Sequence, residues 1–181
     1  MGNRTFSASN CRLKTGPATI FSESAPMSKS LERVRAALQA AGLPIDIRDV
    51  GQARTAQDAA DSVGCHLDQI VKSIIFRAED SGDAVLFLTA GGNRVDADKA
   101  SACAGAPLGK ADAALIRAQT GFAIGGVAPI GHLNPIRAWL DPRLLDFDMV
   151  WAAAGTPRHV FPVNPTALPK ISSAQPHDFT I

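Results

Sequence analysis

Three short stretches hold the residue types from which a reactive site can be assembled. In Ile70-Val71-Lys72-Ser73-Ile74-Ile75-Phe76 a single lysine interrupts an apolar run. Lysine is rarely buried without a partner. Lys72 therefore either points to solvent from the alternate face of a strand or stands at the edge of a cleft, its ammonium aimed at a phosphate or a ribose hydroxyl. In Gly125-Gly126-Val127-Ala128-Pro129-Ile130-Gly131-His132, three glycines and a proline fall within eight residues. That is either a structural turn or a loop whose main-chain N–H groups converge on a carboxylate, phosphate or oxyanion, since glycine lets backbone approach a ligand closely. Ala154-Gly155-Thr156-Pro157 follows a β-rich run containing Trp151. It reads as a tight turn, or as a glycine and a hydroxyl lining the same cleft.

Other chemistries find no footing. There is no GxxxxGK[ST] loop, no HExxH and no CxxC, and Gly91-Gly92 lacks the spacing of a dinucleotide-binding turn. Cys65-His66, Cys103 and His132 do not make metal-ligand spacings. Neither His132 nor His159 falls in a serine–histidine–aspartate order, so each reads as structural or peripheral to catalysis. No metal and no cofactor is expected.

The elements that must hold these stretches follow from periodicity and punctuation. Leu31, Val34, Leu38 and Ala41 share one helical face, with Ser30 as cap and Gly42 as stop. Ile45, Ile47 and Val50 suggest a short strand, and Thr55 with Asp58 a capping box for a helix ending at Gly64. The apolar runs 70–76 and 84–89, joined by Glu79-Asp80-Ser81-Gly82-Asp83, read as a hairpin. Asp96 and Asp112 cap two further helices closed by Gly105 and Gly121. A glycine- and proline-rich connection over 125–135 precedes three β-rich runs near 136–140, 149–154 and 159–163, with Asp141-Pro142 as a helix start between the first two. Strands slightly outnumber helices without strict alternation, giving an α+β domain on one mixed central sheet flanked by helices.

Composition bounds the function. The chain has 181 residues, 46% of them hydrophobic and 19% charged, as in an ordinary globular domain. No apolar run is long enough to span a membrane. The scattered Cys11, Cys65 and Cys103 suit idle thiols in a reducing cytoplasm. Residues 1–27 lack either period and read as a disordered leader, which leaves 28–181 as the domain. Residues 1–30 hold four basic side chains against one acidic, so the remainder of a chain of net charge +1 is slightly acidic. Long-range grip on DNA is thereby disfavoured, because phosphate neutralisation supplies most of such affinity; contact with nucleic acid would be local.

In this order and spacing, RTAQDAADSVGCHLDQIVKSIIF, LFLTAGGNRVDADKASACAGA, TGFAIGGVAPIGH and LLDFDMVWAAAGTPRHVF resemble the YbaK/ProX family of aminoacyl-tRNA deacylases, related to the editing domain of prolyl-tRNA synthetases. The resemblance spans roughly residues 30–170. It implies that fold and a hydrolase of mischarged aminoacyl-tRNA, most of all tRNA for proline, working by substrate-assisted ester hydrolysis. Lys72, Gly125 and Gly126 then form the catalytic set. Ser73, Val127, Pro129, His132, Gly155 and Thr156 bind substrate. The implied partners are the acceptor end of the tRNA and prolyl-tRNA synthetase. Arg158-His159 departs from the family's usual asparagine after Thr-Pro. A non-catalytic tRNA- or synthetase-binding module on the same fold is the alternative. The absence of any ligand set predicts that prolonged chelation leaves deacylation intact; inhibition that added zinc reverses would contradict it.

Overall fold

Side-chain caps set most of the helix starts in the computed structural model, which describes residues 28–51 and 53–181; the expected leader lies outside them. Helix α1 (Lys29–Ala40) is capped by the Ser28 hydroxyl, which accepts from Leu31 N–H at 3.2 Å, two residues before the expected cap. The expected strand near Val50 shrinks to β1 (Arg48–Asp49). Thr55 and Asp58 form the capping box of α2 (Ala56–Val63), and a 3-10 turn, Leu67–Gln69, leads into β2 (Ile70–Ala78) and β3 (Ala84–Ala90). Asp96 and Asp112 cap α3 (Ala97–Ala104) and α4 (Ala113–Thr120), with β4 (Leu108–Lys110) between them. Residues 121–136 contain no helix or strand. They lead to β5 (Arg137–Leu140), a 3-10 turn over Pro142–Asp146 capped by Asp141, then β6 (Val150–Ala153) and β7 (His159–Val163). After a further 3-10 turn come α5 (Leu168–Ser172) and β8 (Gln175–Pro176).

The eight strands form one mixed sheet in the order β1-β7-β6-β2-β3-β5-β8, with β4 also on β2. Every residue of β3 is buried, as a central strand covered on both faces requires. Its side chains alternate between two cores. Leu86 and Leu88 join the main core under α1, α4 and α5, while Val85 and Phe87 pack with Trp139, Phe179 and the alanines of α3. A third, smaller cluster joins α2 to Ile70, Trp151 and Val160.

One edge of β2 is paired with β3 from Val71 to Arg77. Its other edge is divided: β6 runs parallel beside Ile70 and Val71, and β4 runs antiparallel beside Phe76, Arg77 and Ala78. Residues 72–75 have no strand against that edge.

The turn that leaves β3 is built on two glycines. A Cβ on Gly91 would come within 2.1 Å of the Leu67 carbonyl oxygen, and one on Gly92 within 2.4 Å of an Asp68 carboxylate oxygen. Backbone oxygen cannot rotate away as a side chain can. Gly91→Ala is therefore expected to lower unfolding free energy by about 1–3 kcal/mol, the range for forced overpacking. Chemical denaturation of the two proteins measures this, and an unchanged midpoint would show that the turn relaxes freely.

Candidate functional site

A cleft of about 540 Å³ opens where the edge of β2 is left unpaired. Its walls are largely apolar: Val50, Ala56 and Ala59 from the α2 side, Ile70 and Ile74 from β2, Trp151 from β6 and Val160 from β7. Among the described residues that line it there is no carboxylate; Lys72, Arg54 and His159 are its ionisable groups.

Strand alternation explains the placement of Lys72. It shares a face with Ile70, which packs against α2, and with Ile74 and Phe76, which pack on the α3 side, so it emerges between two apolar clusters. Its Nζ donates to the main-chain carbonyl of Asn93 at 2.5 Å. Burial pushes its ammonium below the ordinary lysine range; the Asp141 carboxylate opposes that, Arg94 adds to it, and Asp68 opposes it. Of the two readings of the sequence, the cleft edge is the one realised. Ser73 also borders the cleft, but alternation turns it to the face of Val71 and Ile75, where its Oγ is buried without a hydrogen-bond partner among the described residues.

The glycine-rich loop and the Ala154–Pro157 turn meet back to back. A Cβ on Gly126 would lie 2.7 Å from Thr156 Cα, and Gly155, at φ +92°, would press one to 2.6 Å from the Ser30 carbonyl oxygen. Gly125, at φ +82°, holds a backbone conformation that disfavours side chains, with only Pro157 nearby at 3.6 Å. The Gly126 N–H donates to the Ala123 carbonyl at 3.0 Å. That donor is therefore committed, whereas the amides of Gly125 and Val127, both at the cleft, have no acceptor among the described residues. Gly126 serves the close approach of the two loops instead.

Across the cleft, Thr156 Oγ1 accepts from Arg158 N–H at 3.3 Å and lies 2.6 Å from His159 Nδ1, which leaves the hydroxyl proton to bridge to the imidazole. Arg158 itself turns outward to Asp49, 2.8 Å away, tying this turn to β1. The sequence reads His159 as structural or peripheral; its position three residues after Thr156 is the spacing that brings the two together.

The structure thus gathers Lys72, Ser73, Gly125, Val127 and Thr156 around one cleft, with Gly126 and Gly155 packed behind it. Pro129 and His132 stand elsewhere, bordering a separate hollow beside Ile171. His132 is hydrogen-bonded through Nε2 to the Ala128 carbonyl at 2.7 Å and lies edge-on to Phe122. No group of three or more His, Cys, Asp or Glu among the described residues is placed to hold a metal ion. No helix among them is long and apolar enough to cross a membrane.

The model of the aminoacyl-tRNA editing domain matches residues 50–171. The chain belongs to that family. This editing domain is 32% identical over 119 residues to YwhH, an uncharacterized protein of Bacillus subtilis (strain 168), the match covering 65% of this chain and 74% of the relative. It superposes with a TM-score of 0.80, at 43% identity, on the crystal structure of a candidate trans-editing enzyme for prolyl-tRNA synthetase, over 86% of this chain and 99% of the other. A hypothetical protein, APE2540, matches at TM-score 0.75 and 25% identity, over 82% and 99%. The α+β architecture expected from sequence is the architecture of these structures.

His132 gives a pH signature for the loop that this editing domain carries beside its cleft. Burial holds its pKa down, the Ala128 carbonyl opposes that, and Arg33 adds to it. Its folded pKa thus lies below its unfolded value. As pH falls through the ordinary histidine range, the unfolded chain takes up a proton that the folded chain refuses, so stability falls. His132→Asn is expected to flatten that part of the stability–pH curve, measured by denaturation between neutral pH and pH about 5; an unaltered slope would place the acid sensitivity elsewhere.

Proposed function

We propose that this chain is a trans-editing hydrolase that cleaves the ester of mischarged aminoacyl-tRNA, with tRNA for proline as its substrate. Family membership supports an editing role, and the relative described as a candidate trans-editing enzyme for prolyl-tRNA synthetase supports the choice of tRNA. The observation that carries the reading is the meeting, in one cleft without carboxylates, of the Lys72 ammonium with the unengaged amides of Gly125 and Val127. An ammonium free of a competing carboxylate is available to a phosphate or ribose oxygen of the acceptor end. The apolar walls suit a small aminoacyl side chain and the face of the terminal base.

Lys72 fixes the acceptor end in this mechanism, and the loop amides face the ester carbonyl. A water adds to the carbonyl carbon, and the negative charge that develops on its oxygen meets the Gly125 and Val127 N–H groups. The bond from carbon to the ribose oxygen then breaks. One proton of the water ends on that ribose oxygen, giving free amino acid and uncharged tRNA. An aminoacyl ester is already activated, so orientation and oxyanion stabilisation carry the rate, one such donor contributing about 3–4 kcal/mol to lowering the barrier. The slight acidity of the folded part suits a protein that grips only the acceptor end. Specificity for one amino acid rests on the cleft walls, where one methylene is worth about 1–3 kcal/mol.

Single-turnover deacylation of a panel of aminoacyl-tRNAs tests this reading. Lys72→Ala should reduce the rate at least a hundredfold with little change in thermal stability, since the ammonium donates to one carbonyl and contributes little packing. Gly125→Ala should lower the rate on the order of a hundredfold, with a smaller effect on binding of a non-hydrolysable aminoacyl-adenosine analogue. Full activity in Lys72→Ala would remove Lys72 from the mechanism. Equal losses of rate and analogue affinity in Gly125→Ala would place the loop in uniform ground-state recognition and withdraw its oxyanion role, whereas the binding module expects affinity alone to change.

A further inference from the structure

The glycine turn after β3 is held by a carboxylate that belongs to another part of the chain and stands outside the cleft. Asp141, at the end of β5, is 2% exposed. Its Oδ2 accepts from Ala90 N–H at 3.1 Å and from the Asn93 side-chain amide at 2.8 Å, and its Oδ1 accepts from Arg143 N–H at 3.0 Å. The main-chain carbonyl of Asn93 in turn takes the Lys72 ammonium. Capping a 3-10 turn needs only the Arg143 contact. A buried carboxylate costs several kcal/mol unless its environment compensates it, and the other oxygen spends both of its contacts on the segment that carries the lysine's acceptor.

We propose that Asp141 is the positioning residue for Lys72, fixing through Asn93 the carbonyl that holds the ammonium at the edge of the cleft. The chain of contacts runs from a rigid element to a mobile side chain. Asp141 N–H donates to Leu88 O at 2.9 Å, which anchors the carboxylate to the fully buried strand β3. The turn it grips cannot drift toward the preceding 3-10 turn, because Gly91 and Gly92 already touch Leu67 and Asp68. Lysine has four rotatable side-chain bonds and loses its aim easily, so a fixed acceptor is what makes its charge directional. Among the described residues the charged groups whose fields act on Lys72 are Asp141, Arg94 and Asp68, and Asp68 is already shared between Arg143 Nε at 3.1 Å and Gly92 N–H at 3.0 Å. Asp141 is the larger of the two acidic influences, opposing the loss of charge that burial favours.

Asp141→Asn is the informative substitution. Whichever way the amide is turned, its NH2 faces a donor, either Asn93 and Ala90 or Arg143. Leu144→Ala, a fully buried apolar residue of the adjoining 3-10 turn, is the matched control that weakens the same segment without touching the carboxylate. The direct readout is NMR titration of protein labelled at its six lysines, with the Lys72 resonance identified by its loss in Lys72→Ala. In Asp141→Asn the Lys72 midpoint should fall by about half a pH unit or more, and in Leu144→Ala it should stay. The kinetic readout rests on the deacylase reading: kcat should fall on the order of tenfold in Asp141→Asn with KM little changed. A folded Asp141→Asn protein with an unmoved Lys72 midpoint would overturn the proposal, as would equal movement in Leu144→Ala. Should Asp141→Asn fail to fold, Asn93→Ala decides, because it removes the tether and keeps the main-chain carbonyl. Its kcat should fall in the same direction, and wild-type kcat would refute the proposal. If wild-type protein deacylates no aminoacyl-tRNA, the functional reading fails, while the Lys72 titration still judges the role of Asp141.

Discussion

A β-strand has two edges, and the whole site depends on how β2 uses its second one. The first is closed by β3 over seven consecutive pairs. The second is shared between two short strands that arrive from opposite ends, and neither is long enough to reach the other. A sheet that closed fully would bury residues 72–75 under a continuous ladder and leave no room for a ligand. Because it does not, the strand most firmly held on one side is open on the other. A cleft beside a strand firmly paired on its other edge results.

Electrostatics follow from that geometry. An ammonium emerging among Ile70, Ile74 and Trp151 loses hydration, and its pKa falls. Among the described residues the acidic influence on it comes from Asp141 and Asp68, neither of which lines the cleft, so no carboxylate competes there for a ligand. Opposite it, the glycine loop contributes dipoles and no charge. The two contributions are complementary: a full charge on a flexible stem for the anionic or hydroxyl-bearing part of a ligand, and fixed amides for an oxygen that becomes charged later.

Much of this was legible in the chain. Thr55 with Asp58, Asp96 with Gly105 and Asp112 with Gly121 are local signals, since a cap involves residues three or four apart, and all three mark real helix ends. The hairpin of β2 and β3 was equally plain from two apolar runs around an acidic turn. Lys72 stood out because a charge in a buried strand is a local contradiction. What the sequence concealed is long-range. β4 and β8 are three and two residues long, too short for any period to show. The division of the β2 edge cannot be read from either strand alone. Asp141 followed by Pro142 reads as a helix cap and is one, which masks its second set of contacts 48 and 51 residues away. His132 sat in the most conspicuous motif, yet that motif bends away from the cleft within four residues of Val127.

The contact between Gly126 and Thr156 is made by backbone on both sides. Beside it the Pro157 ring lies next to Gly125, whereas Ile124, 61% exposed, faces outward at the cleft rim and touches neither glycine contact. The side chain at position 124 can therefore change while the scaffold stays fixed. A substitution at that rim position can reshape what the cleft accepts without disturbing the fold or the placement of the ammonium. The backbone that frames the cleft rests instead on Gly126 and Gly155, where any side chain would meet main chain.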